Sequence, residues 1–393
     1  MSRLDELIAE LCPDGVNYYS IEELIKRKIV VMVTPSFKIK RNDYKNIGTI
    51  PIISQELEYI SGYCNRNDER IIKREYVCFG DHSEHIKYIN FAFVQGADGL
   101  KIMYTDKNKL LTRYFYHSIL NFYNRHNNYE RHFKYLGDTN IPVPPIEVQK
   151  EIVRILDNFT NLTAELTAEL TARQKQYEFY KQKLLDMQLN ITKVKITDIA
   201  LVKARVGWQR LTTSEYLQFG DYYLITGTDF TTGGTIDFSS AVYVSKERFD
   251  MDENIKVHKD DILITKDGTL GKVAILDKEP DKEATLNSGV FRIHITNKNV
   301  LPRYIFHFFT SKYFTDFVES VKTGSTIPHL TQKGLLTLDI PIPPLETQRK
   351  LVDVLDNFEK ICNDLNIGLP AEIEARQKQY EYYRDKLLTF KEK

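Results

Sequence analysis

The stretch Gly268-Thr-Leu-Gly-Lys272 ends like a phosphate-binding loop, in which glycines bring backbone N–H groups onto a phosphate and a lysine adds charge. The full pattern needs a glycine at position 266 and a hydroxyl residue after the lysine. The chain has Lys266 and Val273 there, so nucleotide binding is not expected. No Gly-x-Gly-x-x-Gly follows a strand-like run. Neither Val143-Pro-Pro-Ile146 nor Ile342-Pro-Pro-Leu345 has the Asn/Asp-Pro-Pro-aromatic form of an amino-methyltransferase. The nine histidines show no HxxxH or HExxH pairing for zinc. Pro280, Asp281 and Glu283 are too compressed for a nuclease carboxylate site with its trailing lysine. Cys12, Cys64, Cys78 and Cys362 are scattered and read as buried thiols rather than metal ligands or disulfides. Nothing in the sequence points to catalysis.

The strongest internal signal is self-similarity. Ile141-Pro-Val-Pro-Pro-Ile-Glu-Val-Gln149 recurs as Ile340-Pro-Ile-Pro-Pro-Leu-Glu-Thr-Gln348, and Ile155-Leu-Asp-Asn-Phe159 as Val354-Leu-Asp-Asn-Phe358, both 199 residues on. Ala172-Arg-Gln-Lys-Gln-Tyr-Glu-Phe-Tyr180 recurs as Ala375-Arg-Gln-Lys-Gln-Tyr-Glu-Tyr-Tyr383 at an offset of 203, so the second copy carries four extra residues. A period near 200 is far too long for a solenoid and describes two copies of one large module. In each copy a β-rich stretch ends at a Pro-Pro pair and a long helix follows. Proline suits a first helical turn but not a helix interior.

Apolar residues in the first long helix step by three and four, with one position missed at Arg173. They are Ile152, Ile155, Phe159, Leu162, Leu166, Leu170, Tyr177, Tyr180, Leu184 and Met187. The second shows Leu351, Val354, Phe358, Ile361 and Leu365, then Tyr380, Tyr383, Leu387 and Phe390. Such seams predict two helices packed antiparallel on each other. Ile367-Gly-Leu-Pro370 should kink or break the second one. Thr163-Ala-Glu-Leu166 is repeated directly as Thr167-Ala-Glu-Leu170, which reads as a length-setting rod. Four residues add roughly 6 Å and about 40° of rotation.

The stretches 16–141 and 191–340 alternate short β-rich runs with turns, and each has an amphipathic helix, Thr112 to Phe122 and Pro302 to Phe317. A polar loop follows each helix, Asn124-Arg-His-Asn-Asn128 and Lys322-Thr-Gly-Ser-Thr326. The halves share an order of elements and differ in loop chemistry. Net charge is +5 over 16–141, 0 over 191–340 and zero over the chain, so composition alone does not suggest a nucleic-acid partner. No apolar run approaches the ~20 residues that span a bilayer. The polar start, Met1-Ser2-Arg3-Leu4-Asp5-Glu6, is unlike a signal peptide, and a cytoplasmic protein is expected.

Two PxPPxxxQ…LDNF…ARQKQYExY segments, each closing a variable module, resemble the repeated regions of type I restriction–modification specificity subunits. The Thr-Ala-Glu-Leu repeat and the Arg-Gln-Lys-Gln-Tyr block are similar to the IC subgroup. Asp261 to Lys272, Thr323 to Leu330 and residues 76–103 resemble stretches of target-recognition domains. The resemblance implies a non-catalytic, DNA-binding α+β chain, built as a pseudo-twofold repeat of two recognition domains joined by two long antiparallel coiled-coil helices. The expected boundaries are an N-terminal helical segment 1–15 packing near the end of the second long helix, domains 16–141 and 191–340, and helical regions 142–190 and 341–393. Each domain would read half of a bipartite double-stranded DNA site. Two modification subunits would dock on the helices and supply the S-adenosylmethionine chemistry, with no cofactor or metal in this chain. Motor–nuclease subunits would join for restriction.

Glycine-containing loops with hydrogen-bond donors suit phosphate and base-edge contact. Lys266, Thr269, Lys272, Lys322, Ser325, Thr326 and His329 are the candidates in the second half, and Lys38, Lys40, Arg41, His82, Arg125, His126 and Asn127 in the first. Trp208 is expected to pack in a core. Ile155, Phe159, Leu166, Tyr177, Tyr180, Val354, Phe358, Tyr380, Tyr383 and Leu387 are expected in the helix seam. A coiled-coil interaction protein whose halves bind protein or glycan, and a fused enzyme fragment, are the alternatives.

Overall fold

The computed structural model describes residues 3–96, 98–186, 191–207, 210–324, 328–363 and 368–393. Met187, Trp208, Ser325, Thr326, Leu365 and Ile367 lie outside the described residues. The chain divides into two compact units, one of residues 1–166 with 373–393 and the other of residues 167–372.

Unit 1 opens with α1 (Arg3–Leu11), β1 (Tyr18–Ser20), α2 (Ile21–Lys26), β2 (Val30–Val33), β3 (Ile50–Ile53) and β4 (Gly62–Cys64). There follow β5 (Tyr76–Gly80), β6 (Ile86–Ile89), β7 (Val94–Gln95), β8 (Leu100–Thr105), α3 (Thr112–Phe122), α4 (Phe133–Asp138) and β9 (Asn140–Pro142). The long helix α5 (Ile146–Asp186) contributes its first half to unit 1 and its second to unit 2.

Unit 2 continues with β10 (Lys193–Lys195), α6 (Ile196–Ile199), β11 (Ala200–Ala204), β12 (Tyr222–Ile225), β13 (Val242–Val244), α7 (Lys246–Asp250), β14 (Lys256–Val257) and β15 (Ile262–Thr265). Then come β16 (Val273–Ile275), β17 (Glu283–Leu286), β18 (Val290–Ile295), α8 (Pro302–Phe309), α9 (Lys312–Val321), α10 (Gln332–Leu335), β19 (Asp339–Pro341) and α11 (Leu345–Asn363). The last helix, α12 (Leu369–Leu388), starts beside Gly368 and Pro370, where the sequence predicts a break.

The two modules share one topology, with β14 an additional edge strand in unit 2. A short antiparallel pair closes each, β1 with β9 and β10 with β19. A four-stranded antiparallel sheet follows, ordered β2-β8-β5-β6 in unit 1 and β11-β18-β15-β16 in unit 2. A second sheet, β4-β3-β7 or β13-β12-β17-β14, contains one parallel pair, β3 with β7 or β12 with β17. Side-chain alternation along the strands explains the layering. In β15 and β16, Ile262, Ile264, Val273 and Ile275 pack with the helices, and Leu263 and Ala274 pack with the second sheet. In β5, Val77 and Phe79 face the helices while Tyr76 and Cys78 face the other sheet. Both faces are covered, so these strands read as continuous apolar runs. The four cysteines are free and buried, and burial pushes the Cys78 thiol up to about 12.

The repeated motif residues make matching locks. Each Pro-Pro pair sits just ahead of its helix, and Pro145 O and Pro344 O accept the first helical N–H groups, from Gln149 and Gln348. Gln149 is fully buried. Its Nε2 donates to Lys109 O (3.0 Å) and Pro144 O (2.7 Å), and its Oε1 accepts from Leu111 N (2.8 Å). Gln348 repeats this with Asn299 O (2.9 Å), Pro343 O (2.8 Å) and Leu301 N (2.8 Å). The aspartate of each Leu-Asp-Asn-Phe block takes an arginine and a histidine from the amphipathic helix. Asp157 bonds Arg113 Nε (2.7 Å) and His117 Nε2 (3.2 Å), and Asp356 bonds Arg303 Nε (2.8 Å) and His307 Nε2 (2.6 Å). Burial lowers both imidazole pKa values despite their carboxylate bonds, so each histidine is a neutral donor to its aspartate.

Within unit 1, Phe159 stacks on Tyr383 at 5.2 Å, and His117 Nδ1 meets the Tyr380 hydroxyl at 3.0 Å. Within unit 2, Phe358 lies against Tyr177 and Tyr180 at 6.3 and 6.2 Å. Ile155, Leu166 and Leu387 are half-buried, but Val354 is 43% exposed. The positions sealed from water are the adjacent Leu156, Leu355 and Leu388. Each of these helices packs on a globular core as well as on another helix, and a heptad count cannot tell which of two neighbouring apolar residues that core takes.

Helix α1 buries Leu4 and Leu7 in the same cluster as Leu388. Val16 N donates to Lys391 O (2.8 Å) and Lys393 N to Val16 O (3.1 Å), so the two chain ends meet inside unit 1. Deleting residues 1–12 should therefore destabilise unit 1 by about 3–5 kcal/mol, counting two buried leucines. Calorimetry of the truncated chain checks this, and an unchanged unfolding profile would refute it.

Candidate nucleic-acid interface

Four loops meet at one end of the sheets in each unit, and strand pairing dictates it. In unit 1, β3 and β7 run parallel in the register Ile52↔Val94 and Ile53↔Gln95, so the chain leaves both strands side by side. The pair Gly80↔Leu100 sets the exit of β5 beside the entry of β8. The loops 54–61, 81–85 and 96–99 thus converge, and the loop 123–132 between α3 and α4 joins them. Three backbone bonds fix the junction: Gly96 N to Ile53 O (2.8 Å), Asp81 N to Gly99 O (2.7 Å) and His132 N to Asp81 O (2.8 Å). Unit 2 makes the same three bonds at equivalent places: Asn287 N to Ile225 O (2.9 Å), Lys266 N to Gly289 O (2.8 Å) and Leu330 N to Lys266 O (3.0 Å). The backbone is shared while the side chains differ: Asp81 against Lys266, Gly96 against Asn287, His132 against Leu330.

In unit 1, Gln55 ties three of the loops. Its Oε1 accepts from His82 N (3.1 Å), its Nε2 donates to Asp98 O (3.2 Å), and its backbone carbonyl accepts from the Ser83 hydroxyl. Gly99 has φ +96°, a conformation that strains any L side chain, and a Cβ there would push on the Gln55 amide 2.6 Å away. His82 Nδ1 donates to Glu130 O (3.0 Å), and its ring stacks at 5.3 Å on Tyr129, which is 90% exposed. Lys38 pairs with Asp98 (2.7 Å) and Arg41 with Glu56 (3.0 Å), which places both cations on the rim. Lys40 and Arg125 are exposed.

The loop 123–132 is held from below by Glu84, which is 3% exposed. Its carboxylate accepts from Tyr123 OH (2.6 Å), His126 N (2.8 Å) and Asn127 N (2.8 Å). Burial opposes the charge, but these three bonds and the His132 imidazole outweigh it and hold the Glu84 pKa down to about 2.

In unit 2, Gly268 and Gly271 adopt φ +72° and +77° in the loop that carries Lys266 and Thr269. A Cβ at Gly268 would meet open space, so this is a protruding tip. His329 Nδ1 bonds Asp267, and Thr323 and His329 exchange two backbone bonds at 2.9 and 2.8 Å. Lys266 Nζ sits 5.3 Å from the Phe291 ring centroid. Asn287 donates to the Tyr216 hydroxyl and accepts from Gly289 N (2.8 Å). Lys322 pairs with Glu319 at the end of α9. Lys272 lines a cleft of about 310 Å³ with Tyr177, Lys181, Phe306 and Glu359. Ser325 and Thr326, in the same loop as His329, are outside the described residues.

Several rim residues were not singled out by sequence. Tyr129 could have been, as an aromatic in a polar loop. Gln55, Glu84, Asp267 and Asn287 carry no local signal, because their partners come from other loops. The pairing of Lys38, Arg41 and Lys322 with Asp98, Glu56 and Glu319 agrees with the neutral net charge. The rim offers acceptors as well as donors, a mixture suited to base edges.

Among the described residues two groups have metal-like spacing, Glu84 with His126 and His132, and His307 with Asp356 and Glu359. In the second, the Arg303 guanidinium takes the place of a cation, with Nε on Asp356 and Nη2 on Glu359, both at 2.8 Å. In the first, the carboxylate is occupied by a hydroxyl and two amides.

The family described as "Type I restriction modification DNA specificity domain" matches residues 14–173 and 189–375, one match for each module. The chain belongs to this family. It is 31% identical over 407 residues to the type I restriction enzyme EcoR124I/EcoR124II specificity subunit of Escherichia coli, covering 99% of this chain and 97% of that one. It is 31% identical over 353 residues to a putative type I restriction enzyme specificity subunit of Haemophilus influenzae, covering 85% and 86%. The crystal structure of the S subunit from the type I restriction–modification system of M. genitalium superposes with a TM-score of 0.57 at 13% identity, covering 95% of this chain and 96% of that one. That likeness shows the fold. As a specificity subunit the chain is the non-catalytic, DNA-recognising member of its system. Among the described residues no helix is long and apolar enough to cross a membrane.

Proposed function

We propose that each four-loop rim reads one half of a bipartite, asymmetric site on double-stranded DNA in the cytoplasm. The observation that carries this is the shared set of three backbone bonds presenting different side chains in the two units. One scaffold with two chemistries is what two readers of unlike half-sites require. In unit 2 the reading falls to Lys266, Thr269, Asp267 and His329, with Lys322, Ser325 and Thr326 in the adjoining loop. In unit 1 it falls to His82, Arg125, His126, Asn127 and Tyr129, with Lys38, Lys40 and Arg41 toward the phosphates. Lys272 stands beside them as a phosphate-contacting candidate at the cleft edge.

The helices serve spacing and partners. Phe179 and Tyr382 occupy equivalent places in the repeat, are 61% and 62% exposed, and each lies edge-on to the next tyrosine. A duplicated exposed aromatic pair suits two copies of one partner, the modification subunits that bring S-adenosylmethionine. Motor–nuclease subunits would complete the restriction complex. The chain alone should methylate and cleave nothing. With its modification subunits it should methylate one bipartite sequence, in a complex whose mass corresponds to two such subunits. Methylation by the lone chain, or methylation without sequence preference in the complex, would sink this reading.

A further inference from the structure

We infer that Glu84 is the positioning residue for half-site recognition in unit 1, acting through the loop 123–132; the inference rests on the reading proposed above. A carboxylate at 3% exposure normally demands a compensating charge or a full set of donors. Glu84 has the donors, and two of them are consecutive amides of the loop that carries Arg125, His126 and Asn127. Asn127 holds φ +56° at that point, a left-handed turn that asparagine tolerates and that the bond to Glu84 secures. Glu84 itself has φ +56°, an unfavourable conformation for a glutamate, so local backbone preference does not explain its presence. His132 closes the clamp. Its Nδ1 lies 3.1 Å from Asp81 O, and its Nε2 lies 2.7 Å from Asn128 Oδ1 and 3.5 Å from Glu84. The loop is therefore tied at Tyr123, His126, Asn127, Asn128 and His132 to one buried anion and the β5 exit. Unit 2 holds its corresponding loop differently, through the Thr323–His329 backbone pair and Asp267. Glu84 thus governs one half-site only.

The test uses the full chain with its modification subunits and a duplex library randomised over both halves of the methylated sequence. Glu84→Gln removes the charge and replaces one of the two acceptor oxygens with an amide group that cannot accept from His126 N or Asn127 N, so the clamp keeps a single neutral acceptor. It should reduce base discrimination by about tenfold in one half-site, the loss of roughly one good base contact, and leave the other half unchanged. A purely structural defect would lower methylation of both halves together. Where Glu84→Gln fails to fold, Glu84→Gly relieves the left-handed backbone, removes the carboxylate, and should give the same one-sided loss. A folded variant that still discriminates fully in both halves overturns the inference alone. A wild-type complex with no sequence preference overturns it together with the reading it rests on.

Discussion

Replacing Gln348 by alanine is expected to destabilise unit 2 by about 3 kcal/mol or more, since each buried polar group left unpaired costs roughly 1–3 kcal/mol. Three backbone groups lose their partners at once: Asn299 O, Pro343 O and Leu301 N. Gln348 is fully buried, so bulk water does not replace it without opening the helix start. The midpoint of the unit 2 transition should fall by about 6–12 °C, at roughly 2–4 °C per kcal/mol for a unit of this size. Gln348→Glu should be at least as damaging, because it keeps the acceptor, removes both donors and buries a charge. Gln149→Ala should do to unit 1 what Gln348→Ala does to unit 2, since its three partners are equivalent. Calorimetry of the two single variants and the double decides the matter. A loss below about 1 kcal/mol would mean that the glutamine is an ordinary surface-type contact.

That prediction marks where the sequence is informative and where it stops. Gln149 and Gln348 stand out as repeats, and so do Asp157 and Asp356. Apart from Pro144 and Pro343, what they bond lies 38 to 53 residues upstream, where only Arg113-Tyr-Phe-Tyr-His117 and Arg303-Tyr-Ile-Phe-His307 are themselves alike. A repeat therefore announces a shared structural duty without saying which. The long helices and the break near Pro370 follow from periodicity and proline chemistry, which are local; the two modules follow from the repeat 199 residues on, and the α+β class from the family resemblance. The rim is legible only in part. Lys266, His329, His82 and Arg125 to Asn127 sit in polar, glycine-rich or left-handed turns that mark a loop on sight. Gln55 bridges 27 to 43 residues to reach His82 and Asp98, and Glu84 reaches 39 to 43 residues to Tyr123 and Asn127, so neither has a local signature. The helix seam erred by one residue at Val354: amphipathic period fixes a stripe, and the second packing partner chooses the side of it.

Deleting Thr167 to Leu170 should move the methylated site to one whose halves are unchanged and whose gap is one or two base pairs shorter. Helix α5 runs without interruption from Ile146 to Asp186, and the division between the units falls between Leu166 and Thr167, between the two Thr-Ala-Glu-Leu copies. Removing one copy leaves each flank in its own sequence context, because Leu166 then precedes Thr171 as Leu170 does now. The rod loses roughly 6 Å and turns by about 40°. On DNA, about 1.8 base-pair steps of 3.4 Å match that translation. At 10–10.5 base pairs per turn, roughly one step matches the rotation. Translation asks for nearly two base pairs and rotation for one, so the new gap is bounded by these values. In the proposed reading base contacts sit on the two rims and not on the rod, hence the half-sites should stay as they were. Methylome sequencing of a host carrying the shortened gene with its modification subunit reads gap and half-sites together. An unchanged site would show that α5 does not set the spacing, and altered half-sites would show that the rims are not independent of it.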